Sequence, residues 1–125
     1  SPPLPGKPVS PAEAAFLLVA LHLAVDFPLQ GDTTAVQKSR RTDNALSKAV
    51  PWPYWMAAHA ASHGVAVWIV TRSLALGAAE TALHFLIDVG KCERLYGIHA
   101  DQALHIACKI AYFALIAGGC VQTGN

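Results

Sequence analysis

His84-Phe85-Leu86-Ile87-Asp88 carries a spacing that the chain repeats three more times. His22 and Asp26, His59 and His63, and Asp101 and His105 are likewise four residues apart. On an α-helix such residues lie on one face, one turn above the other, so each pair can aim two metal-binding side chains the same way. Five of the six histidines and three of the eight acids fall in these pairs. The stretches around them are apolar, rich in alanine and poor in β-branched runs, which favours helix over strand. The pattern predicts an all-α protein, a four-helix up-down bundle with the His/Asp pairs gathered at one end.

The boundaries follow from local signals. Residues 1–9 are expected to be a disordered Pro-rich tail, and residues 10–119 a single helical domain. Ser10-Pro11-Ala12-Glu13 reads as a capped helix start, and Pro28 and Gly31 close that helix at about residue 27. Residues 28–52 form a basic loop with a short amphipathic helix near 33–48. Pro51 and Pro53 launch a helix over about 54–76, Gly77 breaks it, a third runs over about 78–89 with Gly90 after it, and a fourth spans 101–117 before Gly118-Gly119. Short connections make neighbours antiparallel. The C-terminal ends of the first and third helices then lie beside the N-terminal ends of the second and fourth, and those are the ends that carry the pairs.

The metal-ligand set is therefore His22, Asp26, His59, His63, His84, Asp88, Asp101 and His105. Imidazoles with carboxylates suit zinc best, and iron or manganese next, over calcium or magnesium. Eight ligands exceed one tetrahedral shell, so one or two divalent ions are expected. Asp26 and Asp88 lie near helix C-termini, where the helix dipole disfavours a carboxylate and a nearby cation compensates it. Lys91 is the expected partner of Asp88; Lys109 has no evident partner. Asp26, Asp88 and Lys91 are the candidate catalytic residues. A single buried His is more often a hydrogen-bonded core residue than a ligand, and Asp101 alone reads equally as an N-cap. The metal reading rests on the four pairs together.

Composition bounds the rest. Charged residues make up 14% of the 125 and hydrophobic ones 54%, against about 25% charged in an ordinary soluble domain. A net charge of +1 gives no support for a broad nucleic-acid surface. Cys92, Cys108 and Cys120 lack zinc-ribbon spacing and read as reduced thiols. No cleavable signal peptide is expected from the Pro-rich start. Lys38-Ser39-Arg40-Arg41 reads first as a solvated loop and second as an anion-steadying run. Six of the basic residues fall in the two connections at the metal end, which by the positive-inside rule expects an inner (cytoplasmic) membrane protein with its site facing the cytoplasm. A compact cytoplasmic or virion-associated bundle is the alternative.

Four motifs resemble one family in order. They are His22-x-x-x-Asp26-Phe27-x-Leu29-Gln30, His59-x-x-x-His63-Gly64, His84-Phe85-x-Ile87-Asp88-x-x-Lys91 and Asp101-Gln102-x-Leu104-His105. The resemblance covers residues from about 14 to 117, and the motifs are similar to those of the small helical bacterial and phage proteins catalogued as domain of unknown function 3307. That resemblance implies an integral membrane protein whose motif style is similar to membrane-bound metal-dependent hydrolases. The Pro-rich tail and long basic loop depart from the pattern. The expected function is hydrolysis of a phosphoester or similar small anionic substrate through a metal-bound water. The alternative is a non-catalytic interaction protein in which the His/Asp cluster only fixes the bundle, and transport through the bundle is disfavoured because the pairs sit at one end.

Overall fold

A computed structural model describes residues 10–121. The expected Pro-rich tail lies outside the described residues. The chain is all-α, with six helices among the described residues. Four are long: α1 (Pro11–Asp26), α4 (Trp52–Thr71), α5 (Leu74–Cys92) and α6 (Ile98–Ala117). Two are short: α2 (Asp32–Gln37) and α3 (Ala45–Ala49). The basic stretch thus holds two helical turns where one short helix was expected.

Local chemistry explains most boundaries. Ser10 caps α1 by accepting from the Glu13 amide at 3.2 Å, with Pro11 in the first turn. Asn44 and Ser47 form a reciprocal capping box at α3. Pro51 precedes α4, and Gly118 and Gly119 end α6.

The expected break at Gly77 is displaced. The chain turns instead at Arg72, which adopts a left-handed φ of 56°, and Ser73 caps α5 through the Leu76 amide at 3.2 Å. Gly77 lies inside α5 because it is a contact point and not a breaker. A Cβ on Gly77 would meet the Gly64 carbonyl oxygen at 2.9 Å, and one on Gly64 would meet the Gly77 carbonyl oxygen at 2.7 Å. Glycine at both positions lets the two backbones touch, so α4 and α5 form a tight helical hairpin. The third helix also runs past its expected end at 89 to Cys92, with Gly90 inside it. Tyr96 folds back over Gly90 and donates its hydroxyl hydrogen bond to the Ile87 carbonyl.

The four long helices close a ring in which α4 packs on α5, α5 on α6, α6 on α1 and α1 on α4. Its interior is divided. One part is apolar, built from Ala14, Leu18, Val67, Val70, Leu76 and Tyr112. The other is polar, with all eight paired His and Asp residues buried alongside Lys38, Glu80 and Lys109. The outside is the reverse. Phe16, Leu23, Val65, Ile69, Leu74, Leu86, Ile110 and Leu115 are exposed, and apolar residues run round α1 and α4 rather than along one stripe. Soluble helices show the opposite arrangement. Helix α6 is long and apolar enough to cross a membrane, and only 22% of its most apolar window is buried.

Candidate metal centre

The C-terminal halves of α1 and α5, the first three to four turns of α4 and the N-terminal half of α6 supply the cluster. Asp26 is its hub. Its Oδ1 lies 3.1 Å from His59 Nε2, 3.4 Å from His63 Nε2 and 3.5 Å from His84 Nε2. His59 Nε2 and His84 Nε2 are 3.2 Å apart. An ion bonded tetrahedrally at 2.0–2.1 Å holds its ligand atoms about 3.3–3.4 Å from one another. Four of the six edges among these ligand-type atoms, which come from three helices, thus have the lengths of one such shell, and all four atoms lie within 4.8 Å of one another.

A second grouping adjoins the first through Asp88. Its Oδ2 lies 3.3 Å from His59 Nε2, while its Oδ1 lies 3.0 Å from His105 Nε2. His105 Nε2 is also 3.3 Å from Asp101 Oδ1. One carboxylate therefore faces both groups, as a bridging ligand would. Asp101 is not an N-cap, since α6 begins at Gly97 and Ile98. Gln102 ties the acids together, donating to Asp26 Oδ2 at 2.6 Å and Asp101 Oδ2 at 3.1 Å. His22 stands nearest the edge of the cluster, with its Nε2 2.9 Å from Gln102 Oε1 and 3.9 Å from Asp26 Oδ2. His22, His84 and His105 also place ring nitrogens within 4.8 Å of one another.

Hydrogen bonding within the cluster is incomplete. His63 Nε2 and Asp101 Oδ1 are buried and have no hydrogen-bond partner. A buried unpaired acceptor costs about 1–3 kcal/mol. Charge is out of balance too. Four buried carboxylates (Asp26, Glu80, Asp88, Asp101) face two buried ammonium groups (Lys38, Lys109), and the remaining two negative charges fall to the imidazoles, as imidazolium, or to a cation. Buried charge is tolerated only when compensated. One divalent cation among these donors would supply the balance.

The cations are not those expected. Lys91 makes no ion pair among the described residues; Asp88 Oδ2 is instead held by Lys38 Nζ at 2.7 Å. Lys38 follows α2, which packs on α4, so its ammonium is carried inward rather than left in a solvated loop. Arg40 and Arg41 stay outside on Glu93, Arg40 through bonds of 2.8 and 2.6 Å. The Arg40 guanidinium holds the Glu93 carboxyl below its ordinary range. Lys109 does have a partner: its Nζ lies 2.7 Å from Glu80 Oε1. That approach is off the line of a hydrogen bond, so the contact is an ion pair.

Glu80, Lys109 and Gln102 join the site although none belongs to the four pairs. The signal for two of them was present. Glu80-His84-Asp88 and Asp101-His105-Lys109 each extend a pair by one more step of four.

A cleft of about 260 Å³ opens beside His59, walled by Val25, Leu29, Gln30, Thr34, Ala58 and Ser62. It reaches the cluster from between α1 and α4 and has no charged residue in its wall.

No family model, no curated protein and no solved structure matches the chain.

Proposed function

We propose that this centre binds one or two divalent transition-metal ions, zinc suiting the donors best, and serves a metal-dependent hydrolase. The observation that carries the reading is the convergence of Asp26 Oδ1 with the Nε2 atoms of His59, His63 and His84 at 3.1–3.5 Å. The buried His63 nitrogen without a hydrogen-bond partner and the burial of three further carboxylates beside Asp26 support it. When bound, the ion would lower the pKa of a coordinated water and supply a nucleophile near neutral pH.

The chain's own residues set the remaining roles. Asp88 faces both ligand groups, with Oδ1 on His105 and Oδ2 on His59 and Lys38, and would hold the two groups in register. Lys38, salt-bridged to Asp88, is the cation closest to the donors and would steady a phosphoester or similar anion. The cleft at His59 provides the approach. The four-motif resemblance to the domain of unknown function 3307 family agrees with the site and names no substrate.

The placement proposed with this function is the inner membrane. A polar interior inside an apolar exterior is what lipid surroundings favour. Arg40, Arg41, Lys48 and Arg94 lie at the metal end and Arg72 at the other, which orients the site toward the cytoplasm.

The test is elemental analysis of wild type and His84→Ala, purified in detergent without chelator, followed by phosphoester hydrolysis. One or two equivalents of metal, and turnover lost in the variant, are expected. Turnover persisting in His84→Ala would sink the hydrolase. The second reading is a structural metal in an interaction protein, favoured by the near-complete burial of the ligands. It predicts bound metal with no turnover of any ester.

A further inference from the structure

The buried group formed by Glu80, Lys109 and Tyr112 lies outside the ligand set and contacts it at one atom. Glu80 Oε2 is 3.0 Å from His84 Nδ1. Its other oxygen, Oε1, accepts from the Tyr112 hydroxyl at 2.9 Å and lies 2.7 Å from Lys109 Nζ. Glu80 and Lys109 are 1% and 2% exposed. Both carboxylate oxygens are therefore committed, one to a ligand histidine and the other to two groups from α6.

We infer that Glu80 is a positioning residue of the metal centre, and that Lys109 and Tyr112 hold it in place. The inference rests on the metal reading above. A buried carboxylate at Nδ1 draws the imidazole proton to that nitrogen. Nε2, which faces Asp26, His59 and Asp88, is then left with its lone pair toward the donors. The same hydrogen bond fixes the ring's rotation and raises its basicity as a ligand.

Lys109 fixes the Glu80 oxygen that does not face His84. Its ammonium neutralises Glu80 locally, so the carboxylates left without an ammonium partner are Asp26 and Asp101. The arrangement is not a proton path. Tyr112 ends in the apolar cluster with Ala14, Leu18 and Val70, so the line stops there.

Three forms of the full chain in detergent micelles test this: wild type, Glu80→Ala, and Glu80→Gln combined with Lys109→Met. The double variant keeps an oxygen acceptor for His84 Nδ1–H and removes both buried charges together. Zn²⁺ affinity is read by chelator competition. The His84 tautomer is read by nitrogen-15 NMR on metal-free protein. Wild type should show His84 protonated at Nδ1. Glu80→Ala should lose that preference and bind Zn²⁺ about 10–100-fold more weakly, and the double variant should recover most of both. If Glu80→Ala fails to fold, the double variant carries the test: weak binding despite a retained acceptor overturns the assignment. Wild-type Zn²⁺ affinity in a folded Glu80→Ala, or a wild-type His84 that carries no proton at Nδ1, also overturns it. A wild-type chain that binds no Zn²⁺ overturns the metal centre itself, and its tautomer then shows whether Glu80 still fixes the ring.

Discussion

Lys38 and Asp88, fifty residues apart, meet in a buried ion pair of 2.7 Å. The pair joins the segment after α2 to the last turns of α5, so the polar stretch between α1 and α4 closes over the centre. Lys38→Met would leave Asp88 charged and buried without its partner. Breaking such a pair costs about 3–5 kcal/mol. Chemical unfolding of the metal-free variant should show a loss of that order, and a change below about 0.5 kcal/mol would place Lys38 in solvent. Lys91→Met, which removes no ion pair, is the matched control.

Acid should strip the centre. Imidazole must be neutral to bind metal, and protons compete for each ring nitrogen. Affinity therefore falls as pH falls, steeply when several histidines share an ion. Protein loaded at pH 7.5 and dialysed at pH 5 should lose its metal, and return to pH 7.5 with added Zn²⁺ should restore it. Retention unchanged across that interval would mean that the histidines are not the ligands.

The contact between Gly64 and Gly77 predicts a local weakness. Gly64→Ala would push a methyl group onto the Gly77 carbonyl oxygen and the Thr81 side chain, and overpacking of this kind costs about 1–3 kcal/mol. Gly97→Ala has no atom within 4 Å of the new methyl and should leave the unfolding midpoint in place. Because His59 and His84 sit on the same two helices, Gly64→Ala should weaken metal binding as well. Equal midpoints for the two variants would show that α4 and α5 do not approach this closely.

Ile110 distinguishes lipid from water. It is 61% exposed near the middle of α6. In water, Ile110→Asp at such a site would change stability by about 0.5 kcal/mol or less. At the centre of a spanning helix an aspartate costs about 2.5–3.5 kcal/mol in insertion. The proposed membrane placement predicts that wild type resists carbonate extraction and that Ile110→Asp largely leaves the membrane fraction. A wild-type chain recovered in the carbonate supernatant would contradict it.

The helical class and the convergence of the paired His and Asp residues were legible because both depend on spacing alone. Four-residue intervals in alanine-rich stretches state which side chains share a face, and His22, His59, His84 and His105 do converge. What the sequence concealed was partnership. Lys38 sits among Ser39, Arg40 and Arg41, a run whose ordinary fate is solvent, and only the packing of α2 against α4 turns it inward. Gly77 reads as a breaker because glycine lowers helix propensity, and its use for close approach is visible only once Gly64 lies opposite. Arg72 gives no sign of its left-handed turn, since residues other than glycine, asparagine and aspartate seldom adopt one.

The helical hairpin of α4 and α5 bears on how such a chain could enter a bilayer. Threaded singly, α5 would drag Glu80, His84 and Asp88 through hydrocarbon, and α4 would drag His59 and His63. Under the proposed membrane placement, in which α6 alone among the described helices is long and apolar enough to cross by itself, the two-residue turn and the contact at Gly64 and Gly77 would let α4 and α5 enter as one unit, with His59 already against His84. Biogenesis would then proceed by hairpin insertion, with α1 and α6 arriving around a half-built centre, and metal capture would mark the last step of assembly.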